Sequence, residues 1–441
     1  MSTATTTPLA PLRRALATEL LAAYPELIDR TSWGREQLLA HQRVRLQSLL
    51  RDAVAGSPFH ARRLAGIDPA EVDPTDLSAL PVMTKAQMMD ELDDVLTDRA
   101  LTRAEVEETL AATGDEPHVM RDRYIAFTSG GSSGVRGVFV YDVHASVGFI
   151  GPLTRGLAQR IRAMDAVPPG GLTVGMVGAR SAVHPTGAAQ GLTAGGGLPY
   201  HYVSVPVTDG LPEIVARLNE LRPPMLMGYA TALARLARTG LAYTPAVVTS
   251  TSETLTPELR AAIRAGLGAP VVDIYATTEG LTGASAPDDD VIVLAEDTCI
   301  VEVLEDRVLI THLENRVQPL IRYGLRDRFT VVSDEGLLRV RVQGRSEDVL
   351  RWGAIDIHPV VIRSEILRVP DVLDHQVRQT ALGVDVDVLA TGDVDTDDLQ
   401  VRIAAALADA GLDRPVVVVR SVVDLGRHPE TGKLARVVPL R

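Results

Sequence analysis

Short apolar segments alternate with helical stretches through the middle of the chain, and this alternation constrains the fold more than any other feature. Strands are predicted over Leu172–Val177, Tyr202–Val207, Met225–Met227, Ala246–Thr249 and Val271–Tyr275. Helices are predicted between several of them, over Leu211–Leu221, Thr231–Thr239 and Pro257–Ala265. Strands and helices in this order are typical of an α/β fold with a largely parallel sheet.

The two ends of the chain follow other patterns. Residues 35–56 place leucines at helical spacing and predict an amphipathic helix, and Thr84 can cap a later one. From about Val291 close-set strands predict a β-rich lobe that closes the large domain. The last 80 residues have their own pattern of strands and helices, as expected for a small α+β domain. The sequence therefore predicts two domains, residues 1–345 and 346–441.

The composition excludes several classes of protein. A net charge of −13 argues against a surface for nucleic acid or acidic lipid. One cysteine, Cys299, excludes an internal disulfide and a cysteine cluster for zinc. The longest uncharged stretch, residues 181–208, is rich in Gly, Pro and His and does not predict a membrane span. Glu19 and Glu26 interrupt the apolar patch near the N-terminus, so no signal peptide is expected, and a cytoplasmic protein with small-molecule partners is predicted.

Lysine is scarce in this chain. Only two of the 44 basic residues are lysines, Lys85 and Lys433. Because arginine meets the ordinary surface-charge needs of this chain, a remaining lysine is a candidate for a function that requires a compact ammonium group. The alternative is compositional drift that missed two positions, and the sequence favours this alternative for Lys85.

A glycine- and hydroxyl-rich turn between two apolar segments, Tyr124–Phe127 and Val138–Tyr141, is the first candidate site. It contains Thr128, Ser129, Gly130, Gly131, Ser132, Ser133 and Gly134. Glycines allow several backbone N–H groups to point at one anion, and the hydroxyls can donate to phosphate oxygens. The alternative is an ordinary hairpin loop. No Lys-Ser/Thr pair follows the last glycine and the next element is a strand, so a Walker-type loop is excluded.

Two further motifs carry carboxylates after predicted strands. In Asp273–Gly280, Glu279 could ligate Mg²⁺ and Thr278 could contact a phosphate, although a helix N-cap is the alternative. In Pro319–Asp327, the final aspartate could accept hydrogen bonds from two vicinal ribose hydroxyls. The alternative there is a salt-bridged surface turn.

Two charged stretches complete the set, Gly344–Pro359 and Pro429–Arg436, and each alone could be an exposed turn. In this order and with these gaps, the five motifs resemble those of the adenylate-forming superfamily, which includes acyl-CoA synthetases, nonribosomal adenylation domains and luciferases. The nearest branch resembles phenylacetate-CoA ligases. The resemblance implies ATP-dependent activation of a small, aromatic carboxylic acid as an acyl-adenylate, with Mg²⁺ and pyrophosphate release, followed by transfer to coenzyme A and release of AMP.

The same resemblance implies roles for individual residues. A large domain would bind the nucleotide and the acid, and a small mobile domain would carry Lys433, which bridges the attacking carboxylate and the α-phosphate. The phosphate loop falls on residues 128–134, and the other catalytic contacts fall on Thr278 and on Glu279 as the magnesium ligand. Further nucleotide contacts fall on Tyr275, Asp327 and Arg345, the hinge on Glu347, and the loop for the second half-reaction on Gly353. The acid pocket is predicted at Met227, Gly228, Tyr229, Tyr275 and Ala276, although the two tyrosines could be ordinary core aromatics.

The chain departs from the family pattern in places. Arg136-Gly137 stands where a Pro-Lys pair usually follows the glycine loop, and residues 179–200, near the acyl pocket of relatives, are unlike those of a standard phenylacetate ligase. Two alternatives to coenzyme A transfer therefore remain. The enzyme could pass the activated acid to an amine, or it could activate nitrite for attack by an aryl amine, as an ATP-dependent diazotase does. A non-catalytic nucleotide binder is a third class, disfavoured by the presence of both Glu279 and Lys433. Relatives also suggest a homodimer.

Overall fold

A computed structural model describes most of the chain. The described residues are 8–129, 137–164, 168–195, 197–305, 307–345, 350–353, 355–357, 359–366, 368–369, 372–390, 392–427 and 434–440; for residues 344, 345, 356, 360, 364 and 373 the description covers the backbone alone. The helices are α1 (Leu9–Asp29), α2 (Arg35–Gly56), α3 (Pro58–Arg63), α4 (Lys85–Asp90), α5 (Leu92–Val95), α6 (Arg103–Ala112), α7 (Val143–Arg162), α8 (Pro185–Thr193), α9 (Leu211–Leu221), α10 (Ala230–Thr239), α11 (Pro257–Leu267), α12 (Val360–Ile366) and α13 (Thr396–Asp409). None of these helices combines the length and the apolar character needed to cross a membrane.

The strands form one large sheet and four smaller ones. In chain order they are β1 (Ile125–Thr128), β2 (Val138–Tyr141), β3 (Leu172–Gly178), β4 (Tyr200–Pro206), β5 (Met225–Gly228), β6 (Val247–Thr251), β7 (Val271–Ala276), β8 (Thr282–Ser285), β9 (Ile292–Leu294), β10 (Cys299–Val303), β11 (Val308–His312), β12 (Tyr323–Leu325), β13 (Asp327–Ser333), β14 (Arg339–Arg345), β15 (Leu350–Trp352), β16 (Ile355–Ile357), β17 (Val372–Thr380), β18 (Gly383–Ala390), β19 (Val416–Ser421) and β20 (Val437–Val438).

The large sheet has nine strands in the order β13-β14-β9-β8-β7-β6-β5-β3-β4. Strands β4, β3, β5, β6 and β7 are parallel, and the rest of the sheet is antiparallel. The α/β fold class predicted from the sequence is confirmed. The predicted β-rich lobe is divided, because β9, β13 and β14 extend the large sheet and only β10, β11 and β12 form a separate three-stranded sheet.

Helices cover both faces of the parallel half of the sheet. Successive side chains of each strand therefore enter two different cores, one on each face. On β5, Met225 and Met227 pack against the core that includes α1 and α7, whereas Leu226 lies in the core formed with α9, α10 and α11. Successive side chains of a strand point to opposite faces, so a strand covered on both faces must be apolar throughout. This explains why the central strands read as continuous apolar segments.

The C-terminal part of the chain has a core of its own. Strands β17 to β20 form a four-stranded sheet in the order β19-β18-β17-β20, and α12 packs against α13. Its main hydrophobic cluster draws on residues from Leu350 to Val437, whereas the largest cluster of the rest of the chain ends at Val342. The predicted boundary, between residues 345 and 346, falls between these two cores.

Three buried histidines give the fold a dependence on pH. Burial lowers the pKa of His60, His312 and His375 to about 4, against 6.5 in an unfolded chain. Between these values the unfolded state binds more protons than the folded state, so the free energy of unfolding falls as the pH falls from 6.5 to about 4. Asp273 acts in the opposite direction, since burial raises its pKa to about 7.

A single substitution isolates this contribution. We expect His60→Gln to show a smaller loss of stability than the wild type between pH 7 and pH 4.5, because the imidazole that must stay neutral is gone. The difference between the two proteins should be on the order of 2–3 kcal/mol over that range, from a pKa shift of about 2.5 units. Thermal unfolding of both proteins in a pH series measures it. If stability falls equally with pH in the two proteins, burial of His60 does not cause the pH dependence.

Candidate active site

The glycine-rich turn is carried by the β1–β2 hairpin. Thr128 pairs with Val138 in antiparallel register, and the Thr128 N–H donates to Val183 O at 2.8 Å. At the base of the turn, Ser129 N donates to Gly137 O and Gly137 N donates to Ser129 Oγ, both at 3.0 Å. These bonds fix the start and the end of the predicted phosphate loop. Its central residues, 130–134, lie outside the described residues.

The second motif forms a tight turn between β7 and β8. Gly280 N donates to Thr277 O at 3.0 Å, and Thr277 N donates to Leu281 O at 2.9 Å. Gly280 has φ +104°, and a Cβ there would collide with the ring of His312, so glycine is required on both grounds. The helix N-cap that the sequence left open is therefore excluded, because a hairpin turn presents Thr278 and Glu279 at its tip.

The two hairpins are joined by direct contacts. Tyr141, at the end of β2, donates from its hydroxyl to Thr278 O at 2.6 Å. The ammonium of Lys85 lies 3.3 Å from Ser129 Oγ and 3.6 Å from Glu279 Oε1. The Glu279 side chain is 7% exposed and that of Lys85 is 25% exposed. A lysine thus bridges the hydroxyl of one motif and the carboxylate of the other, which the sequence had placed 150 residues apart.

Helix α4 holds Lys85 at this position. Thr84 caps the helix, since its hydroxyl accepts from Gln87 N at 3.2 Å while the Gln87 side chain accepts from Thr84 N at 3.0 Å. One residue earlier, Met83 N donates to Arg322 O and Met83 O accepts from Gly324 N, both at 2.9 Å. The third motif therefore anchors the start of α4, which brings Lys85 to the first two motifs.

Strands β13 and β14 carry the predicted ribose-binding residues. Asp327 opens β13 and is the register partner of Arg345 at the end of β14. The Asp327 residue is buried, at 7% exposure. Two residues further along β13, the Phe329 ring meets the Tyr275 ring edge-on, with 5.2 Å between centroids. Asp327 and Arg345 therefore lie on adjacent strands of the large sheet. Tyr275 lies on β7 of the same sheet, separated from β14 by β8 and β9, and its ring contact with Phe329 links it to β13.

The five residues predicted for the acid pocket do not share one face of the sheet. Met227 and Tyr275 pack against the core that includes α1 and α7. Tyr229 lies fully buried in the opposite core, where its hydroxyl accepts a hydrogen bond from Ala179 N at 3.0 Å, and burial raises its pKa to about 12. These are the surroundings of a core aromatic with a satisfied hydroxyl, the alternative that the sequence left open. Gly228 and Ala276 are the last residues of β5 and β7.

The C-terminal unit contacts the large sheet through Glu253, which follows β6. The Glu253 side chain is 2% exposed. Its carboxylate accepts from Thr231 N at 3.1 Å, from Thr231 Oγ1 at 2.7 Å and from Leu434 N at 2.8 Å, and Arg427 Nη1 lies 3.6 Å away. Close by, Arg436 Nη1 donates to the backbone oxygen of Thr254 at 3.0 Å. The C-terminal unit is thereby fixed at the carboxyl edge of the parallel strands, the edge at which Thr278 and Glu279 lie.

Two predicted residues of the C-terminal domain, Glu347 and Lys433, lie outside the described residues. Gly353 is at the turn between β15 and β16 with φ +61°, and a Cβ built there meets no atom of the described residues within 4 Å. The described part of the chain contains no group of three or more His, Cys, Asp or Glu side chains that could hold a metal ion. Magnesium at this site would rest on Glu279 and the phosphates of a bound nucleotide, which suits an ion that commonly uses one or two carboxylates and substrate oxygens.

The sequence and the fold resemble those of several known proteins. No family model matches the chain. It is 24% identical over 161 residues to protein CapK of Staphylococcus aureus, a match that covers 32% of this chain and 36% of CapK, so the chain spans about a third of that curated relative. A solved structure of 2-hydroxyisobutyryl-CoA ligase in the postadenylation state, in complex with R3-HIB-AMP, aligns over 100% of this chain and 95% of that one with a TM-score of 0.59 and 16% identity. The same ligase in complex with 2-HIB-AMP aligns over 90% of this chain and 89% of that one with a TM-score of 0.59 and 17% identity.

The chain has the fold of 2-hydroxyisobutyryl-CoA ligase. The alignment covers both the nine-stranded sheet and the C-terminal unit. It therefore confirms the predicted fold class, a large α/β domain followed by a small α+β domain, over the whole chain. Within that fold, Lys85 is a candidate site residue that sequence reasoning missed. The scarcity of lysine singled out Lys433, and for Lys85 the sequence favoured compositional drift. The packing of α4 shows that Lys85 reaches the two hairpins.

Proposed function

We propose that this chain is an ATP-dependent, adenylate-forming ligase. It activates a small carboxylic acid as an acyl-adenylate and then passes the acyl group to coenzyme A. The observation that carries the proposal is the contact of Lys85 with both Ser129 and Glu279, since it joins the predicted phosphate loop to the predicted magnesium ligand. The likeness to a ligase whose structures hold an acyl-AMP supports the same chemistry.

The first half-reaction joins two anions. A carboxylate oxygen of the acid attacks the α-phosphorus of ATP, the bond from that phosphorus to the bridging oxygen breaks, and pyrophosphate leaves with the bonding electrons. A weak nucleophile and a polyanion require positioning and charge neutralisation more than acid–base help. In the proposal, residues 128–134 hold the phosphates, Asp327 accepts from the ribose hydroxyls, and Lys433 neutralises charge at the α-phosphate.

In the second half-reaction the thiol sulfur of coenzyme A attacks the acyl carbon and its proton is released to solvent. The bond from that carbon to the phosphate-linked oxygen breaks, and AMP leaves with this oxygen. The proposed C-terminal domain rotates about Glu347 between the halves, so that Lys433 leaves the site and the turn at Gly353 enters it. The separate core of residues 350–437 supports this rotation, because a unit with its own core can move without disrupting the large sheet.

The acid is proposed to be small and aromatic. Met227 and Tyr275, which pack on the same core, are the pocket residues that the geometry favours. Tyr229 is a weaker candidate, because its side chain belongs to the core on the opposite face of the sheet. Specificity would then depend on the side of the sheet that faces α7 and α8.

A panel of acids tests the proposal. We expect the protein to release pyrophosphate from Mg·ATP with at least one small aromatic or short-chain acid in the absence of any thiol, and to form the corresponding thioester and AMP when coenzyme A is added. Parallel reactions with amines, and with nitrite plus an aryl amine, distinguish the alternative acceptors. An absence of binding to both ATP and AMP, together with no pyrophosphate release across the panel, would refute the proposal.

A further inference from the structure

The phosphate loop of this chain has no lysine. The stretch from Thr128 to Gly134 offers backbone N–H groups and hydroxyls, and the pair that follows is Arg136-Gly137 instead of one that contains lysine. A nucleoside triphosphate carries about four negative charges, and phosphate sites commonly add a point-charge ammonium to the backbone donors. The neutral groups of residues 128–134 leave charge on the triphosphate, and cations outside this stretch must balance it together with Mg²⁺.

Lys85 is placed to supply that cation from outside the loop. Its ammonium lies at 3.3 Å from Ser129 Oγ, at the start of the loop, and at 3.6 Å from the buried Glu279 carboxylate. The backbone below it is fixed by the Thr84 cap and by the pairing of Met83 with Tyr323. The side chain itself is a quarter exposed, so the four-carbon stem can carry the ammonium to a ligand over the loop without moving the helix.

We propose that Lys85 binds the β- and γ-phosphates of ATP. The inference rests on the proposed function and extends it. Lys433 is the proposed partner of the α-phosphate, whereas Lys85 lies beside Glu279 and Ser129, the residues assigned to the rest of the triphosphate. When ATP binds, the ammonium moves from the Glu279 carboxylate to the phosphate oxygens, and no proton is transferred.

A purely structural ion pair is the alternative role. The Glu279 carboxylate is 7% exposed, so removing the Lys85 ammonium leaves a buried charge without this cation and lowers the stability of the fold. If the pair is only structural, its loss should weaken the binding of ATP and AMP to the same extent, because it would act by perturbing the fold. A phosphate-binding role affects ATP and leaves AMP alone, because AMP lacks the β- and γ-phosphates.

The experiment is calorimetric titration of wild type, Lys85→Met and Lys85→Arg with ATP and, separately, with AMP, at fixed magnesium and without an acid substrate. We expect Lys85→Met to raise the Kd for ATP by about 10- to 100-fold, the effect of one lost charge-assisted contact, and to change the Kd for AMP by less than about twofold. Lys85→Arg should recover part of the ATP affinity, because the charge is kept and the shape is changed. Arg62→Met, which removes a cation that pairs with Glu91 and Asp94, is the matched control for the change in net charge and should leave both affinities unchanged.

Three results would overturn the assignment. They are an unchanged Kd for ATP in Lys85→Met, an equal loss of affinity for ATP and AMP, and the same loss in Arg62→Met. Thermal unfolding of each variant, compared with the wild type, shows whether the fold is retained, and Lys85→Gln replaces Lys85→Met where it is not. Failure of the proposed function has a different signature, because a wild-type protein that binds neither ATP nor AMP would refute the nucleotide site as a whole.

Discussion

Replacing Lys433 with alanine should lower the rate of acid-dependent pyrophosphate release by a factor of about 10² to 10³, because one charge contact made only in the transition state is typically worth that much. The attacking carboxylate and the α-phosphate are both anionic, and a single ammonium between them offsets their repulsion as the new bond forms. The affinity for AMP should change far less, because the residues proposed to contact its ribose, Asp327 and Arg345, are distant in sequence from Lys433. Initial rates of pyrophosphate release and titration with AMP measure the two effects.

The described neighbours of Lys433 support this prediction. Leu434 N donates to Glu253, and Arg427 pairs with the same carboxylate, so both flanks of residues 428–433 are held at the carboxyl edge of the parallel strands. In open α/β sheets this edge is the one that binds ligands. Thr278 and Glu279 follow β7 at the same edge.

The two half-reactions provide the control for Lys433→Ala. Thioester formation from a separately prepared acyl-adenylate and coenzyme A should proceed at close to the wild-type rate, since Lys433 is proposed to act only in the first half. Lys433→Arg keeps the charge but replaces a point charge with a planar fork, so we expect it to retain a small part of the activity. Full pyrophosphate release by Lys433→Ala would contradict the role assigned to this lysine.

Much of the fold could be predicted because strand and helix periods differ and the central strands are apolar on both faces. Helix α9 begins and ends at the predicted residues, and β3, β5 and β7 were predicted to within one residue at each end. The short strands β8 and β12 were missed, because three or four residues carry too little pattern to distinguish a strand from a loop. The β-rich lobe was only partly right, since sequence alone does not show which edge strands join a sheet.

A site can be proposed from the sequence where one segment supplies all of its groups, and not where packing brings distant groups together. The hydroxyls and glycines of the first motif are contiguous, so their role could be proposed directly from the sequence. Lys85 could not be assigned in this way, because its position depends on Met83 pairing with Tyr323, a contact across 240 residues. Tyr229 shows the opposite case. The end of the preceding strand was predicted correctly, but the direction of the Tyr229 side chain was not, because it enters the core instead of the predicted pocket.

Replacing Glu253 with alanine should lower the rate of pyrophosphate release by a factor on the order of 10². Its buried carboxylate accepts three hydrogen bonds and lies 3.6 Å from Arg427, and it links the C-terminal unit to α10. Removing one partner of a buried ion pair costs about 3–5 kcal/mol, and part of this cost falls on the docked arrangement of the C-terminal unit. About 3 kcal/mol corresponds to a 10²-fold smaller docked population.

The effect of Glu253→Ala can be separated from a local defect in the nucleotide site. The Kd for AMP should stay within about twofold of the wild type, because the proposed ribose residues Asp327 and Arg345 lie on β13 and β14, away from β6 in the sheet order. The backbone amides of Thr231 and Leu434, which donate to the carboxylate, should exchange hydrogen faster in the variant.

Glu220→Ala, which removes a glutamate that is 71% exposed on α9, is the matched control and should behave as the wild type in all three measurements. If Glu253→Ala keeps the wild-type rate while the two amides exchange faster, docking through Glu253 is not required for adenylation. If neither the rate nor the exchange changes, Glu253 does not hold the C-terminal unit in solution. A loss of rate together with faster exchange, at unchanged AMP affinity, is the result expected when the carboxylate fixes the C-terminal unit where the first half-reaction needs it.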